Sequence, residues 1–214
     1  MSVYYPIFLD VEGKPCLVVG GGPTAERKVE ALLECGASVR VIASSVGERL
    51  RALDRAGRIV CVERAFEPGD TAGMVVVIAA TDDRTTNERI AAEARRSGIL
   101  CNVVDAPDLC SFIVPSVVRR GALTIAVSTG GNSPALARKI REELEEEFGE
   151  EYGELLELLG SLRRTMQARF PDDPRKRGRL FHRLVRSDVL DLLREGKRAE
   201  ARQRIEACLS SPLD

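Results

Sequence analysis

The chain has 214 residues, 44% hydrophobic and 30% charged, with a formal net charge of -1; this allows one core of ordinary size plus a smaller appendage, and excludes the basic excess of a general nucleic-acid binder. No apolar run approaches the roughly 20 residues that cross a bilayer, and Met1 is followed by neither a basic segment nor an apolar signal core, so a cytoplasmic protein with no membrane partner is expected. Cys16, Cys35, Cys61, Cys101, Cys110 and Cys208 form no C-x-x-C pair and no zinc spacing, which fits reduced, mostly buried thiols.

The first element is a short apolar run, Cys16-Leu17-Val18-Val19, that passes directly into Gly20-Gly21-Gly22-Pro23. Gly20, Gly22 and Ala25 fall on the G-x-G-x-x-G/A spacing of a dinucleotide-binding turn. There, glycine lets the backbone turn sharply and approach a pyrophosphate, and the third small residue lets helix pack on strand. A helix is predicted over 24–35, with its free N–H groups and positive dipole end facing the phosphates and Gly36 as its stop. The same spacing also occurs where only tight packing is needed; the strand before it and the helix after it favour the nucleotide reading.

Ser38-Val39-Arg40-Val41-Ile42 supplies the next strand, followed by a helix near 45–56 and a strand over Ile59-Val60-Cys61-Val62. A buried strand, Met74 to Ala80, precedes a helix near 84–97 that Asp83 can cap, and Ile99 to Val104 forms a further strand. Strands apolar on both faces, alternating with helices, predict a parallel sheet covered on both sides. Ligands bind such sheets beyond the carboxyl ends of the strands, which selects four loops: Gly20 to Thr24, Ala43 to Ser45, Thr81 to Asp83, and Asp105 to Pro107. The second strand ends Val41-Ile42-Ala43-Ser44-Ser45, with no carboxylate for a ribose hydroxyl and no arginine directly after it for a 2′-phosphate. NAD and NADP are therefore not separated by these residues.

From residue 111 the pattern changes. Residues 112–118 and 122–128 flank Arg119-Arg120-Gly121 and read as an antiparallel hairpin with those three residues at the turn. Ser133 is placed to cap a helix that opens with Pro134 and runs to about Glu147. After Gly149 the chain is helical and charged, interrupted by Phe170-Pro171-Asp172-Asp173-Pro174. The expectation is an α/β fold: a Rossmann-like sheet domain over 1–110, a hairpin and helix dimerisation region over 111–150, and a small helical domain over 151–214.

Tyr5-Pro6-Ile7-Phe8-Leu9, Val18-Val19-Gly20-Gly21-Gly22, Ala25-Glu26-Arg27-Lys28, Ala79-Ala80-Thr81-Asp82-Asp83, Cys101 to Pro107, Ser111 to Ser116 and Ala126 to Pro134 together resemble the dehydrogenase/ferrochelatase module of the siroheme synthase family, that is, precorrin-2 dehydrogenase. The resemblance implies NAD-dependent oxidation of precorrin-2, a tetrapyrrole, to sirohydrochlorin, followed in some members by insertion of ferrous iron. It also implies a homodimer formed through the middle region, with the active site between the domains. The methyltransferase domain fused to this module in some relatives is not expected within these 214 residues. The resemblance places the family's proton-removing aspartate on Asp105. Its NAD contacts fall on Gly20, Gly22, Pro23, Thr24, Ser44, Ser45, Thr81 and Asn102. A Ser-Ser-Gly-Gly element in which one serine can be phosphorylated reads Ser128-Thr129-Gly130-Gly131 here, with threonine second.

The residues themselves fit this chemistry. Hydride transfer to a nicotinamide leaves a proton to be taken up, and a carboxylate at the tip of the fifth strand can accept it; Asp105 ahead of Ala106-Pro107 also reads as an ordinary turn residue. Substrate carboxylates need cations or helix N-termini, which Arg119, Arg120, Ser128 to Ser133, Arg138 and Lys139 can supply, although arginines at a turn also stand merely solvated. His182 is the single histidine and reads as a surface or packing residue, so no metal ligand set is expected. The apolar hairpin strands need covering, which a twofold partner provides. An NAD(H)-sensing module without catalysis, or a dehydrogenase of a smaller imine or alcohol, remain as alternatives.

Overall fold

The computed structural model describes residues 4–210; residues 1–3 and 211–214, the outer ends of the expected domains, lie outside the described residues. The chain divides after Val114 into two compact units. The first contains β1 (Pro15–Val19), α1 (Pro23–Glu34), β2 (Ser38–Ala43), α2 (Glu48–Arg55), β3 (Val60–Glu63), β4 (Val76–Ala79), α3 (Arg84–Arg96), β5 (Leu100–Val103) and a 3-10 turn over Pro107–Leu109. The sheet runs β3-β2-β1-β4-β5 and every pairing is parallel.

The two-residue period of the strands builds both faces at once. Cys16 and Val18 pack with Val29 of α1 and Leu50 of α2; Leu17 and Val19 pack with Ile90 and Ala94 of α3. Helix α1 starts with Pro23 in its first turn behind Gly22, and the chain leaves it through Gly36 at φ +74°, as a left-handed stop requires. Asp83 caps α3, its carboxylate accepting from the Thr85 and Thr86 amides. The strand expected from Met74 is shorter. The Met74 amide closes a turn on Thr71 O, and pairing with β1 begins only where the Val75 amide meets Pro15 O at 2.8 Å.

The second unit contains β6 (Ser116–Arg120), β7 (Leu123–Val127), α4 (Pro134–Glu147), α5 (Glu151–Arg169), α6 (Pro174–Val185), α7 (Val189–Arg194) and α8 (Arg198–Ser210). The hairpin is antiparallel, but its turn is shifted from the expected one. Arg119 pairs with Thr124 and Arg120 with Leu123, leaving Gly121-Ala122 as the loop with Gly121 at φ +55°, the positive φ a tight hairpin demands. A Cβ on Gly153 would come within 3.1 Å of the Arg120 carbonyl, tighter than ordinary packing, so glycine lets α5 seat the turn without the backbone giving way. Phe112 does not belong to the hairpin; it packs against the first unit's core. Val118 is fully buried, and α4 and α5 both contact β6 and β7, so cover for the hairpin comes from within the same unit. Ser133 caps α4 by accepting from the Leu136 amide at 3.2 Å, and Asp173 caps α6 ahead of Pro174. Leu184, Val189, Leu193, Ala201 and Ile205 form the helical core.

Candidate functional site

Strand order reverses on either side of β1, and the crevice beyond the carboxyl ends of β1 and β4 is where such sheets take ligands. A cleft of about 550 Å³ occupies it, lined from β1 and the turn by Val19 to Thr24, from β2 by Ile42 to Ser45, from β3 by Arg64 to Phe66, and from β4 and α3 by Ala80 to Asp83 and Thr86. Three of the four expected loops therefore meet here.

The glycines divide into packing and open positions. A side chain on Gly20 would overlap the Ala80 carbonyl, and one on Gly21 the Ser45 carbonyl; these two let the β1, β2 and β4 loops close on one another, with the Gly20 amide donating to Ile42 O at 2.9 Å. Gly22 differs. Its φ is -89°, which any residue adopts, and nothing in the protein lies within 4 Å of a Cβ built there. The protein's own packing does not require glycine at 22, whereas a pyrophosphate against the N-terminus of α1 would. The cradle thus fits a dinucleotide.

Pro23 and Thr24 begin α1 at the cleft, and exposed Ser44 and Ser45 stand beyond β2. The Thr81 hydroxyl donates to Asn87 Oδ1 at 2.7 Å while the Asn87 amide returns a bond to Thr81 O at 2.9 Å, so a buried asparagine fixes this loop. The Thr86 hydroxyl and the α3 amides hold the Asp83 carboxyl below its ordinary range, against partial desolvation.

Asp105 stands on the neighbouring loop rather than in the cleft wall. Ala79 pairs with Val103 and the Val104 amide donates to Ala79 O at 2.9 Å, so the chain past β5 runs beside the Thr81 loop. Among the described residues Asp105 is the one non-glycine at positive φ, +58°, a conformation that costs about 1 kcal/mol for most side chains but that Asp and Asn tolerate. Cys110 braces this turn: its Sγ accepts from the Val103 amide at 3.1 Å and lies 3.3 Å from the carbonyls of both Val103 and Ala106. Asn102, expected at the cofactor, donates its amide to Phe112 O at 3.0 Å and does not line the cleft. It ties β5 to the following segment. Half-buried Lys28 on α1 has its ammonium pKa lowered by burial first and by Arg27, with the Asp105 carboxylate acting in the opposite direction.

The remaining expected residues belong to the second unit. Ser128 Oγ accepts from the Gly130 amide at 3.1 Å, and Gly130 and Gly131 both have positive φ in the loop leading to the Ser133 cap. Arg119 is exposed. Arg120 is not a solvated turn residue: its guanidinium donates to Glu145 O at 3.0 Å and to Arg119 O, bracing the end of α4. Among the described residues no cluster of three or more His, Cys, Asp or Glu is arranged to hold a metal.

Sequence reasoning missed Arg64 to Phe66, Lys28, Asn87 and Cys110. The first group was findable, because the rule that selected the other loops applies equally beyond β3. The others carry no local signal.

A parallel sheet whose glycine turn opens onto its switch-point crevice defines a dinucleotide-binding α/β protein. The family model described as "Putative NAD(P)-binding" matches residues 7–116, "Sirohaem biosynthesis protein central" matches 120–147, and "Sirohaem synthase dimerisation region" matches 151–209. The chain belongs to this NAD(P)-binding family, and later in its sequence it matches the central and dimerisation regions of sirohaem synthase. The dimerisation model falls on α5 to α8. A siroheme synthase of Methylococcus capsulatus is 43% identical over 202 residues, 94% of this chain and 42% of the relative. One of Edwardsiella ictaluri is 39% identical over 213 residues, 99% of this chain and 46% of the relative. The chain thus spans less than half the length of these curated relatives. A solved structure titled "SirC, precorrin-2 dehydrogenase" superposes with a TM-score of 0.78 at 25% identity, covering 95% of this chain and 100% of that one.

Proposed function

We propose that this chain oxidises precorrin-2 to sirohydrochlorin with NAD, in the cytoplasm and as a homodimer. The observation that carries the reading is Asp105, a carboxylate held in a left-handed turn beside the Thr81 loop of a dinucleotide cleft. Its fold is that of a protein titled precorrin-2 dehydrogenase over that protein's full length.

The oxidation removes a hydride and a proton from the macrocycle. When bound, the nicotinamide supplies the hydride acceptor. The N–H groups of Gly22 and Thr24, with Pro23 between them setting the first turn of α1, would hold the pyrophosphate, and Ser44, Ser45 and Thr81 would supply hydroxyls to the rest of the dinucleotide. Asp105 takes the proton on a carboxylate oxygen, Cys110 fixes the turn that bears it, and Lys28 balances its charge. Arg119 and the Ser128 to Ser133 loop hold substrate carboxylates, with Arg120 positioning the hairpin from behind. Iron insertion, as a second activity, takes ferrous ion as substrate: the macrocycle gives up its two N–H protons as its nitrogens take the metal, one proton passing to Asp105 and the other to water. Helices α5 to α8 carry the contact between copies.

The test is anaerobic incubation of pure protein with precorrin-2 and NAD, followed by absorbance, then addition of ferrous or cobaltous ion. Sirohydrochlorin should appear only with the dinucleotide. Binding of NAD without turnover would instead favour a sensing module and would overturn the catalytic reading.

A further inference from the structure

Among the described residues that line the cleft, Arg64 is the single cation. It follows β3, and because Ala43 pairs with Glu63, it stands level with Ser44 on the adjoining strand. That end of the crevice, beyond β2, is where dinucleotide-binding sheets take the ribose of the adenosine half. An arginine there would be suited to a 2′-phosphate, whereas the carboxylate that usually grips a free ribose hydroxyl is missing from the end of β2.

The guanidinium is already engaged. Asp70 binds it through both oxygens, Oδ2 to Nη1 and Oδ1 to Nη2, each at 2.7 Å, and Nη1 also donates to Ala65 O at 2.8 Å. The Asp70 side chain is 12% exposed against 36% for Arg64, and it accepts in addition from the Glu67 amide at 2.8 Å. Its loop is pinned by Glu93, which accepts from the Gly69 and Thr71 amides and the Thr71 hydroxyl. The fork that would grip a phosphate is filled by a fixed carboxylate, and the pair is neutral as a unit. What remains on this cleft-lining guanidinium are its residual N–H donors, which suit a neutral hydroxyl but not a dianion.

We propose that the Arg64–Asp70 pair sets dinucleotide choice, favouring the form with a free 2′-hydroxyl by neutralising the one cation that a 2′-phosphate could use. This rests on the reading of the cleft as a nicotinamide dinucleotide site. Selectivity then comes from a masked arginine behind β3 instead of a carboxylate at the end of β2.

Calorimetric titration of the purified protein with NAD and with NADP tests this without any turnover. The unaltered protein should bind NAD at least tenfold tighter. Asp70→Asn unmasks the guanidinium and should tighten NADP so that the ratio narrows at least tenfold. Arg64→Gln leaves Asp70 uncompensated and should move the ratio the other way. A general loss of folding would weaken both ligands and leave the ratio intact, so opposite movements in the two variants identify the pair. Equal binding of both dinucleotides by the unaltered protein, or a ratio unmoved by Asp70→Asn, would overturn the role of the pair alone. Binding of neither at millimolar concentration would overturn the dinucleotide reading itself.

Discussion

Replacing Gly22 by aspartate should move stability and cofactor affinity in opposite directions. The site is sterically empty, with φ at -89° and no atom within 4 Å of an added Cβ, so the folded protein has nothing to clash with the new side chain. Gly22 is also the N-cap of α1 and makes no side-chain capping bond; aspartate caps slightly better than glycine, by a few tenths of a kcal/mol. Removing glycine also reduces the freedom of the unfolded chain, worth about 0.4–1 kcal/mol. The sum, about 0.7–1.3 kcal/mol, predicts a rise in melting temperature of roughly 1–5 °C for a chain of this size. Cofactor binding should fall in the same variant. A carboxylate at the helix start lies where the pyrophosphate belongs, and like charges about 4 Å apart near a protein surface repel by up to about 4 kcal/mol. A loss of at least tenfold in NAD affinity, about 1.4 kcal/mol, is the lower bound. Differential scanning calorimetry without ligand and titration calorimetry with NAD read the two effects separately. A variant that melts no lower than the parent and binds NAD equally well would refute the assignment of the pyrophosphate to Gly22.

Asp105→Asn keeps a residue that tolerates the left-handed turn, so it should fold and bind NAD while precorrin-2 turnover falls by roughly 10² to 10⁴; turnover near that of the parent would make Asp105 a turn residue only. Cys110→Ala leaves the Val103 amide without its sulfur partner and should cost about 1–2 kcal/mol, with Cys110→Ser recovering part of it in urea unfolding; equal stability of all three proteins would contradict the bracing role. Burial raises the Glu93 carboxyl pKa, but the Thr71 hydroxyl and the Gly69 and Thr71 amides outweigh it, so the net shift is below the ordinary value of 4.5. Its stabilisation is therefore present above about pH 4.5 and is lost as pH falls through the lowered folded value. Glu93→Gln should flatten that acid limb in melts between pH 3 and 7, and an unchanged limb would count against it. Light scattering at micromolar concentration should give twice the monomer mass, and a monomer would remove the role proposed for α5 to α8.

The sequence by itself determined the features whose causes are local. The β1 run, the glycine turn, the Gly36 stop and the Asp83 and Ser133 caps each depend on residues within a few positions of one another, so their order in the chain was sufficient to place them. The family motifs placed Asp105 on the loop after β5. The structure decided what depends on residues distant in the chain. Gly21 must be glycine because of Ser45, the hairpin turn settles on Gly121 with Gly153 beneath it, and the Arg120 guanidinium meets the Glu145 carbonyl near the end of α4. Asn102 turned to Phe112, and Arg64 reached the cleft with its charge already answered by Asp70 on a loop that Glu93 anchors from α3. A charged or amide side chain has donors and acceptors that any of several partners can satisfy, and which of them does so is fixed only when the sheet brings their strands side by side.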